Sequence, residues 1–236
     1  MAVRLTVIGS SPAWPNPGSA QSGYLVEGRG RLLLDCGPGV LGRLREAGAL
    51  AVDAVAITHF HLDHWGDLVP WCWLSSYGME EVARPELWLP PGGTQQLEQF
   101  AGLWGNAEMF DRAFDLREFE PDVPFDTAGF RVEGRRVNHY TLQAYGFRVT
   151  EDGRTLAYSG DSGPGDALAT LARGADLFLC EATLERGSSE DEPRGHLAAD
   201  EALAVADGPI LLTHRPVELP SPEGVALARD GLMIDV

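Results

Sequence analysis

Lysine is absent from this chain. All 18 basic residues are arginines, set against 35 aspartates and glutamates, for a formal net charge of −17. Such an excess of negative charge repels polyanions at long range. No basic run occurs that could hold nucleic acid by counterion release, so long nucleic acid is not an expected partner. Cysteine is scarce: Cys36, Cys72 and Cys180 are odd in number and widely spaced. They match neither a disulfide framework nor a zinc-finger spacing, and reduced, buried thiols are expected. No run of about eighteen apolar residues occurs, so no membrane-spanning helix is expected. The N-terminal segment lacks the charged head and long apolar run of a secretory leader, and a cytoplasmic protein is expected.

What is present is ordinary globular material. With 44% hydrophobic residues, the chain can bury a sizeable core, and a single domain over residues 1–236 is expected. Alternation and turn residues predict strands over 3–8, 24–27, 31–34, 54–57, 87–89, 130–137, 144–149, 155–158, 176–179 and 209–212. Helices are predicted over 65–82, 94–114 in two pieces, 167–172, 197–206 and 224–228. Two halves emerge, each strand-rich first and then mixed, which suits two packed sheets with helices outside. The aromatics Trp65, Trp71, Trp73, Tyr77, Trp104, Phe110 and Phe114 crowd one stretch. They read as core and dimer contacts of amphipathic helices in preference to a base-stacking lid.

Histidine is also rare, with six in the chain, yet three fall in Thr58-His59-Phe60-His61-Leu62-Asp63-His64. This segment follows the apolar run 54–57 and so lies on the loop at a strand tip, where chemistry is commonly placed. On extended backbone His59 and His61 point the same way and can chelate one cation. Asp63 and His64, where the chain turns toward a helix, can aim at a second. Imidazole and carboxylate suit zinc, and also manganese or iron. A pair of such ions can activate hydroxide for attack on a phosphoryl or carbonyl centre.

His-x-His-x-Asp-His after a hydrophobic strand resembles the signature of the metallo-β-lactamase superfamily, and the rest of that family's pattern follows in order. Asp35, in Leu34-Asp35-Cys36-Gly37, matches the early Asp that braces the metal loop. His139, in Val137-Asn138-His139, matches the isolated third ligand of the first metal. Asp161, in Ser159-Gly160-Asp161-Ser162, matches the bridging carboxylate, and His214, in Leu212-Thr213-His214, the last ligand. Taken alone, His139 would read as a surface strand residue, and Asp161 and Asp35 as turn-formers. The resemblance spans about residues 3–215. It implies an α+β fold, the four-layer αββα sandwich, with His59, His61 and His139 on the first metal. Asp63, His64 and His214 would hold the second, and Asp161 would bridge the two.

Glu181-Ala182-Thr183 and the later Gly195-His196-Leu197 resemble the ribonuclease Z-like phosphodiesterase branch. There the histidine contacts the scissile phosphate and stabilises or protonates the leaving oxygen. His196 is expected at a helix start, a good site for an anion. Glu181 would orient His196 or be merely solvated. Asn138 and Thr213, beside ligands, are candidates to support them. Ribonuclease Z carries a flexible arm for transfer RNA between the third ligand and the bridging Asp. Here two strands around Glu151-Asp152-Gly153 fill that interval, leaving no room for an arm. Tyr145-Gly146-Phe147-Arg148 resembles small bacterial members of the branch, some associated with cyclic nucleotides.

The resulting expectation is a hydrolase with two divalent metal ions, zinc first, acting on a small or cyclic nucleotide-type phosphodiester. Asp63, His196 and Glu181 are its expected catalytic groups, and a homodimer is the expected assembly. The alternatives are hydrolysis of a lactone, thioester or β-lactam on the same metals, transfer-RNA 3′ processing, and a non-catalytic interaction protein on the same fold.

Overall fold

The computed structural model describes residues 3–79 and 82–236. The first half forms β1 (Arg4–Gly9), β2 (Gly23–Glu27), β3 (Arg31–Leu34), α1 (Val40–Glu46), β4 (Ala54–Ala56), α2 (Leu62–Trp65) and α3 (Leu68–Tyr77). β5 (Glu86–Leu89), α4 (Gly93–Gly102), α5 (Met109–Ala113) and β6 (Asp115–Glu118) complete it. The second half forms β7 (Phe125–Thr127), β8 (Phe130–Val137), β9 (Ala144–Glu151), β10 (Arg154–Tyr158), α6 (Asp166–Ala172), β11 (Leu177–Glu181), α7 (Ala199–Val205), β12 (Ile210–Thr213) and β13 (Ala226–Leu227). A last strand, β14 (Met233–Asp235), returns to the edge of the first sheet. The sheet orders are β14-β1-β2-β3-β4-β5-β6 and β13-β12-β11-β10-β9-β8-β7.

Each sheet begins antiparallel and turns parallel: β3, β4, β5 and β6 run together, as do β10, β11, β12 and β13. The central ones, β3, β4, β11 and β12, are near-continuous apolar runs because both faces of these strands are covered. In β3, Leu32 and Leu34 enter the layer between the sheets, while Leu33 joins the layer under the helices. Ala54 and Ala56 divide from Val55 and Ile57 in the same way. A third apolar layer lies between the second sheet and α6 and α7, with Leu168, Leu171, Phe178 and Leu212 at its centre. Three apolar layers between four structural ones are the αββα sandwich the sequence implied.

The departures have local causes. The helix expected over 65–82 is broken: α2 ends at Gly66, α3 starts after Asp67, and the chain is extended at Gly78. Positions 80 and 81 of that expectation lie outside the described residues. The helix expected over 224–228 is instead β13, paired in parallel with β12 (Leu211 with Ala226, Leu212 with Leu227). Pro222 and Gly224, the latter at φ +72°, leave no room for a helical nucleus there. The stretch at 197–206 starts its helix only after Ala198, whose N–H is held by Glu201 at 2.9 Å. The seven-residue α1 and the short strands β6, β7 and β14 carry too little periodicity to be read. Of the aromatics, Trp65, Trp71, Phe110 and Phe114 are core, whereas Trp73, Tyr77 and Trp104 are exposed.

β9 and β10 form a hairpin through Asp152-Gly153, both at positive φ (48° and 81°), the backbone of the tight turns that match strand twist. Leu156 on β10 is fully buried between the sheets. Leu156→Ala should lower stability by about 2–5 kcal/mol, measurable as a shifted midpoint in urea unfolding.

Candidate metal centre

The chemistry collects at one edge of the sandwich, beyond the C-terminal ends of the parallel strands. Asp35 follows β3, His59 follows β4, Asp161 follows β10, Glu181 ends β11 and His214 follows β12. Strand ends of an α/β sheet are natural sites because backbone groups leave their ladders there. Asp35 and His214 take positive φ (58° and 53°), so both strands turn sharply as they deliver these side chains.

Asp35 is fully buried and gathers four donors. Thr58 gives Oδ1 its N–H at 2.8 Å and Oδ2 its hydroxyl at 2.9 Å. His64 Nδ1 and the Tyr158 hydroxyl reach Oδ2 at 2.7 and 2.8 Å. Because the Thr58 proton goes to Asp35, His59 Nδ1–H donates to the Thr58 oxygen at 3.0 Å. The same arrangement recurs elsewhere. His139 Nδ1 donates to the Gly195 carbonyl at 2.7 Å. His214 Nδ1 donates to Thr183 Oγ1 at 2.9 Å, whose own proton goes to Glu181 at 2.9 Å. In all four histidines the outer nitrogen carries the tied proton and Nε2 faces inward.

Among the described residues, three groups of ligand-type atoms result, each with its atoms within 4.8 Å of one another: Glu181, His196 and His214 at the rim; His59, His61, His139 and Asp161; and Asp63, His64, Asp161 and His214. Asp161 is common to the last two. All seven side chains singled out in the sequence are therefore brought to one place, in the two sets that the resemblance implied. Asp63 Oδ2 lies 3.1 Å from His214 Nε2 and 3.4 Å from His64 Nε2. Asp161 Oδ2 lies 3.2 Å from His64 Nε2.

Burial pushes the imidazoles of His59, His61 and His139 below the usual histidine range. They stay neutral, the state in which a ring nitrogen offers a lone pair. Burial acts the same way on His64, but Asp161, Asp35 and Asp63 outweigh it and raise its pKa. Burial opposes ionisation of Asp161 and Asp63, yet His214 and His64 around them hold both carboxyls well below their ordinary range.

The donor set fits a divalent cation. His59 Nε2, His64 Nε2 and Asp161 Oδ1 are buried without any hydrogen-bond partner, and each such orphan costs about 1–3 kcal/mol unless something is bound to it. His139 Nε2 faces His61 Nδ1 at 2.9 Å, although the His139 proton is already committed to Gly195. Imidazole nitrogens and carboxylate oxygens converging this way suit borderline cations such as zinc.

His196 sits at the rim, its ring 5.1 Å from His139 and stacked 5.8 Å from His214. Its Nδ1 meets Glu181 Oε1 at 2.9 Å. Burial alone would lower its pKa, but the Glu181 carboxylate prevails and pushes it up to about 9. Glu181 is fully buried and also accepts the N–H groups of Ser162 and Thr183, at 3.1 and 2.9 Å. It is held against His196 and not solvated. One expectation is corrected: His196 does not open a helix, because α7 starts at Ala199 and its first turn is closed by Glu201 onto Ala198. The N-terminus of α7 is thus closed onto its own chain and does not serve His196. Asn138 and Thr213 turn away from the ligands: Asn138 Nδ2 donates to the Pro164 carbonyl at 2.7 Å, and Thr213 pairs with the Tyr24 hydroxyl at 2.7 Å. Sequence reading missed the positions held by Thr58, Tyr158 and Thr183. Thr58 and Thr183 adjoin motif residues and could have been suspected; Tyr158 gave no signal.

Asp35→Ala would leave the Thr58, His64 and Tyr158 donors buried and unpaired. It should cost about 3–5 kcal/mol of stability, whereas Tyr158→Phe should cost only about 1–2 kcal/mol; denaturant titration of both variants measures the difference.

Residues 30–209 match the family described as the beta-lactamase superfamily domain. The chain is 35% identical over 226 residues to Uncharacterized protein ML1173 of Mycobacterium leprae, covering 92% of this chain and 78% of that one. It is 30% identical over 221 residues to "Probable metallo-hydrolase YhfI" of Bacillus subtilis, covering 91% and 87%. The crystal structure of YhfI superposes over the full length of both chains with a TM-score of 0.85 at 23% identity. Ribonuclease Z of Mycobacterium bovis is 28% identical over 194 residues, covering 75% of this chain and 69% of that one. Sequence, architecture and the strand-end cluster agree: the chain belongs to the beta-lactamase superfamily, on the ribonuclease Z-like branch.

Proposed function

We propose that this protein is a two-metal hydrolase of small phosphodiesters. The observation that carries this reading is Asp161, shared between two imidazole-rich groups and left with a buried, unpartnered oxygen. His59, His61, His139 and Asp161 would hold one ion, and Asp63, His64, His214 and Asp161 the other. Bound there, divalent cations, zinc first, supply Lewis-acid charge for phosphoryl oxygens and lower the pKa of water. Asp63, kept ionised by His64 and His214, orients the attacking water. His196 commits Nδ1 to Glu181, so Nε2 is the atom that delivers a proton to the leaving oxygen, with Glu181 fixing the ring.

The substrate is small in this reading. A cavity of about 370 Å³ beside His61 is lined by Phe60, Gln96, Thr141, Leu142 and Gln143. That is the size of a small-molecule site, with apolar walls and two amide side chains, and it suits a nucleotide-type phosphodiester, cyclic forms included. The tight β9–β10 hairpin occupies the interval where ribonuclease Z carries its arm, and a net charge of −17 disfavours transfer RNA. Ribonuclease Z relatives cleave phosphodiesters, as their name states, and Glu181 with His196 supports the same bond class over lactone, thioester or β-lactam.

Chelator should abolish turnover of bis-p-nitrophenyl phosphate, and zinc or manganese should restore it; turnover persisting in metal-free protein overturns the proposal. Faster hydrolysis of nitrocefin or a thioester than of any phosphodiester, cyclic nucleotides among them, would assign the site to another bond. Asp161→Ala should lose at least about 10²-fold in kcat while circular dichroism stays unchanged, and His196→Ala about 10²–10⁴-fold on a cyclic nucleotide, whose alkoxide leaving group needs a proton.

A further inference from the structure

His196 and His139 reach the site from different strands' loops, and one carboxylate outside the motifs ties them together. Glu190 Oε2 accepts the N–H of Gly195 at 2.7 Å and of His196 at 3.0 Å. Its Oε1 accepts the Tyr140 hydroxyl at 2.5 Å. The carbonyl of Gly195 takes the Nδ1 proton of His139, and the N–H of Tyr140 reaches the Arg194 carbonyl at 3.3 Å. A Cβ on Gly195 would lie 2.4 Å from the Tyr140 ring, so the backbone packs too close to that ring for any residue but glycine.

We propose that Glu190 is a positioning residue: its carboxylate clamps the Gly195–His196 backbone against Tyr140, and so sets His139 and His196 relative to one another. The role of His196 rests on the function proposed above; the hold on His139 does not. Three donors converge on two oxygens, which a carboxylate accepts without loss. The guanidinium of neighbouring Arg194 does not compete, because it forks onto Glu201 at 2.7 and 2.6 Å. Arg194 also reaches the His196 carbonyl at 3.1 Å, so the strand of chain between Glu190 and Leu197 is pinned on both sides. Without Glu190, the Gly195 carbonyl would lose its fixed direction and with it the tautomer of His139. A partner of this kind behind an imidazole is what keeps the inward nitrogen basic and aimed.

The test uses the full-length protein with zinc, comparing Glu190→Ala, Glu190→Gln and Tyr140→Phe. Zinc affinity is read by competition with a fluorescent chelator. Rates are read on bis-p-nitrophenyl phosphate, whose leaving group needs no proton, and on a cyclic nucleotide, whose alkoxide does. Glu190→Ala should weaken zinc binding about 10- to 100-fold. It should also slow kcat on the cyclic nucleotide by about 10²-fold, more than on the activated ester, with KM little changed. Glu190→Gln, which still accepts both backbone N–H groups, should recover most of both losses. Tyr140→Phe removes one donor without opening the fold and should move zinc affinity the same way by less. Zinc affinity within about twofold of the parent in both Glu190→Ala and Tyr140→Phe overturns the clamp, whatever the rates do. If His196→Ala slows both substrates equally, the leaving-group role of His196 fails separately, and zinc affinity still decides the role of Glu190.

Discussion

Everything at the site depends on where one proton sits on each histidine. A neutral imidazole can carry its proton on either nitrogen, and only the bare nitrogen can face a cation. In His59, His64, His139 and His214 the outer Nδ1 is bound to Thr58, Asp35, the Gly195 carbonyl and Thr183 respectively. Each of these acceptors is itself fixed: Thr58 by Asp35, Asp35 by Tyr158, Thr183 by Glu181, Gly195 by Glu190. Nε2 of each ring is thus turned inward from behind by carboxylates, of which Asp35 and Glu181 are fully buried. Those two are tolerable in the interior only because they are saturated with donors.

That constraint explains why the fold takes its particular shape around the site. Parallel strands from both sheets end at one edge, and the ends of β3, β4, β10, β11 and β12 contribute a carboxylate, a hydroxyl or an imidazole instead of another apolar residue. Between the sheets the strands need only bulk, which Leu, Val, Phe and Tyr supply. At their tips, backbone groups leave the ladder and side chains must take over the hydrogen bonding. Tyr158 and Tyr24 mark the transition: their rings belong to the inter-sheet core, while their hydroxyls serve Asp35 and Thr213. A chain with a net charge of −17 gains from a site that gathers imidazoles and binds cations. For the phosphodiester proposed above, local positive charge there would offset a field that otherwise repels an anion.

Much of this was legible without coordinates. The period-2 alternation of β8 and the apolar runs of β3 and β4 gave their strands directly, because side-chain burial repeats along the chain itself. His59, His61, Asp63 and His64 announced a cation site through local spacing on extended and then turning backbone. His139, Asp161 and His214 were recoverable only as an ordered pattern, since each alone has a bland reading. What could not be read were elements with too few residues to show a period, such as α1, β7 and β14. The helix expected over 224–228 failed because pairing with β12 outweighs a weak local preference bounded by Pro222 and Gly224.

The sequence by itself determined which groups could bind metal, because ligand type and close spacing are properties of the chain. Tertiary structure alone decided which nitrogen each ligand presents and what stands behind it. The bonds that settle this run from Asp35 to Tyr158, from His139 to Gly195 and from Tyr140 to Glu190. Such partners are distant in sequence, carry no motif of their own, and meet only when the two sheets pack and their strand ends share one edge.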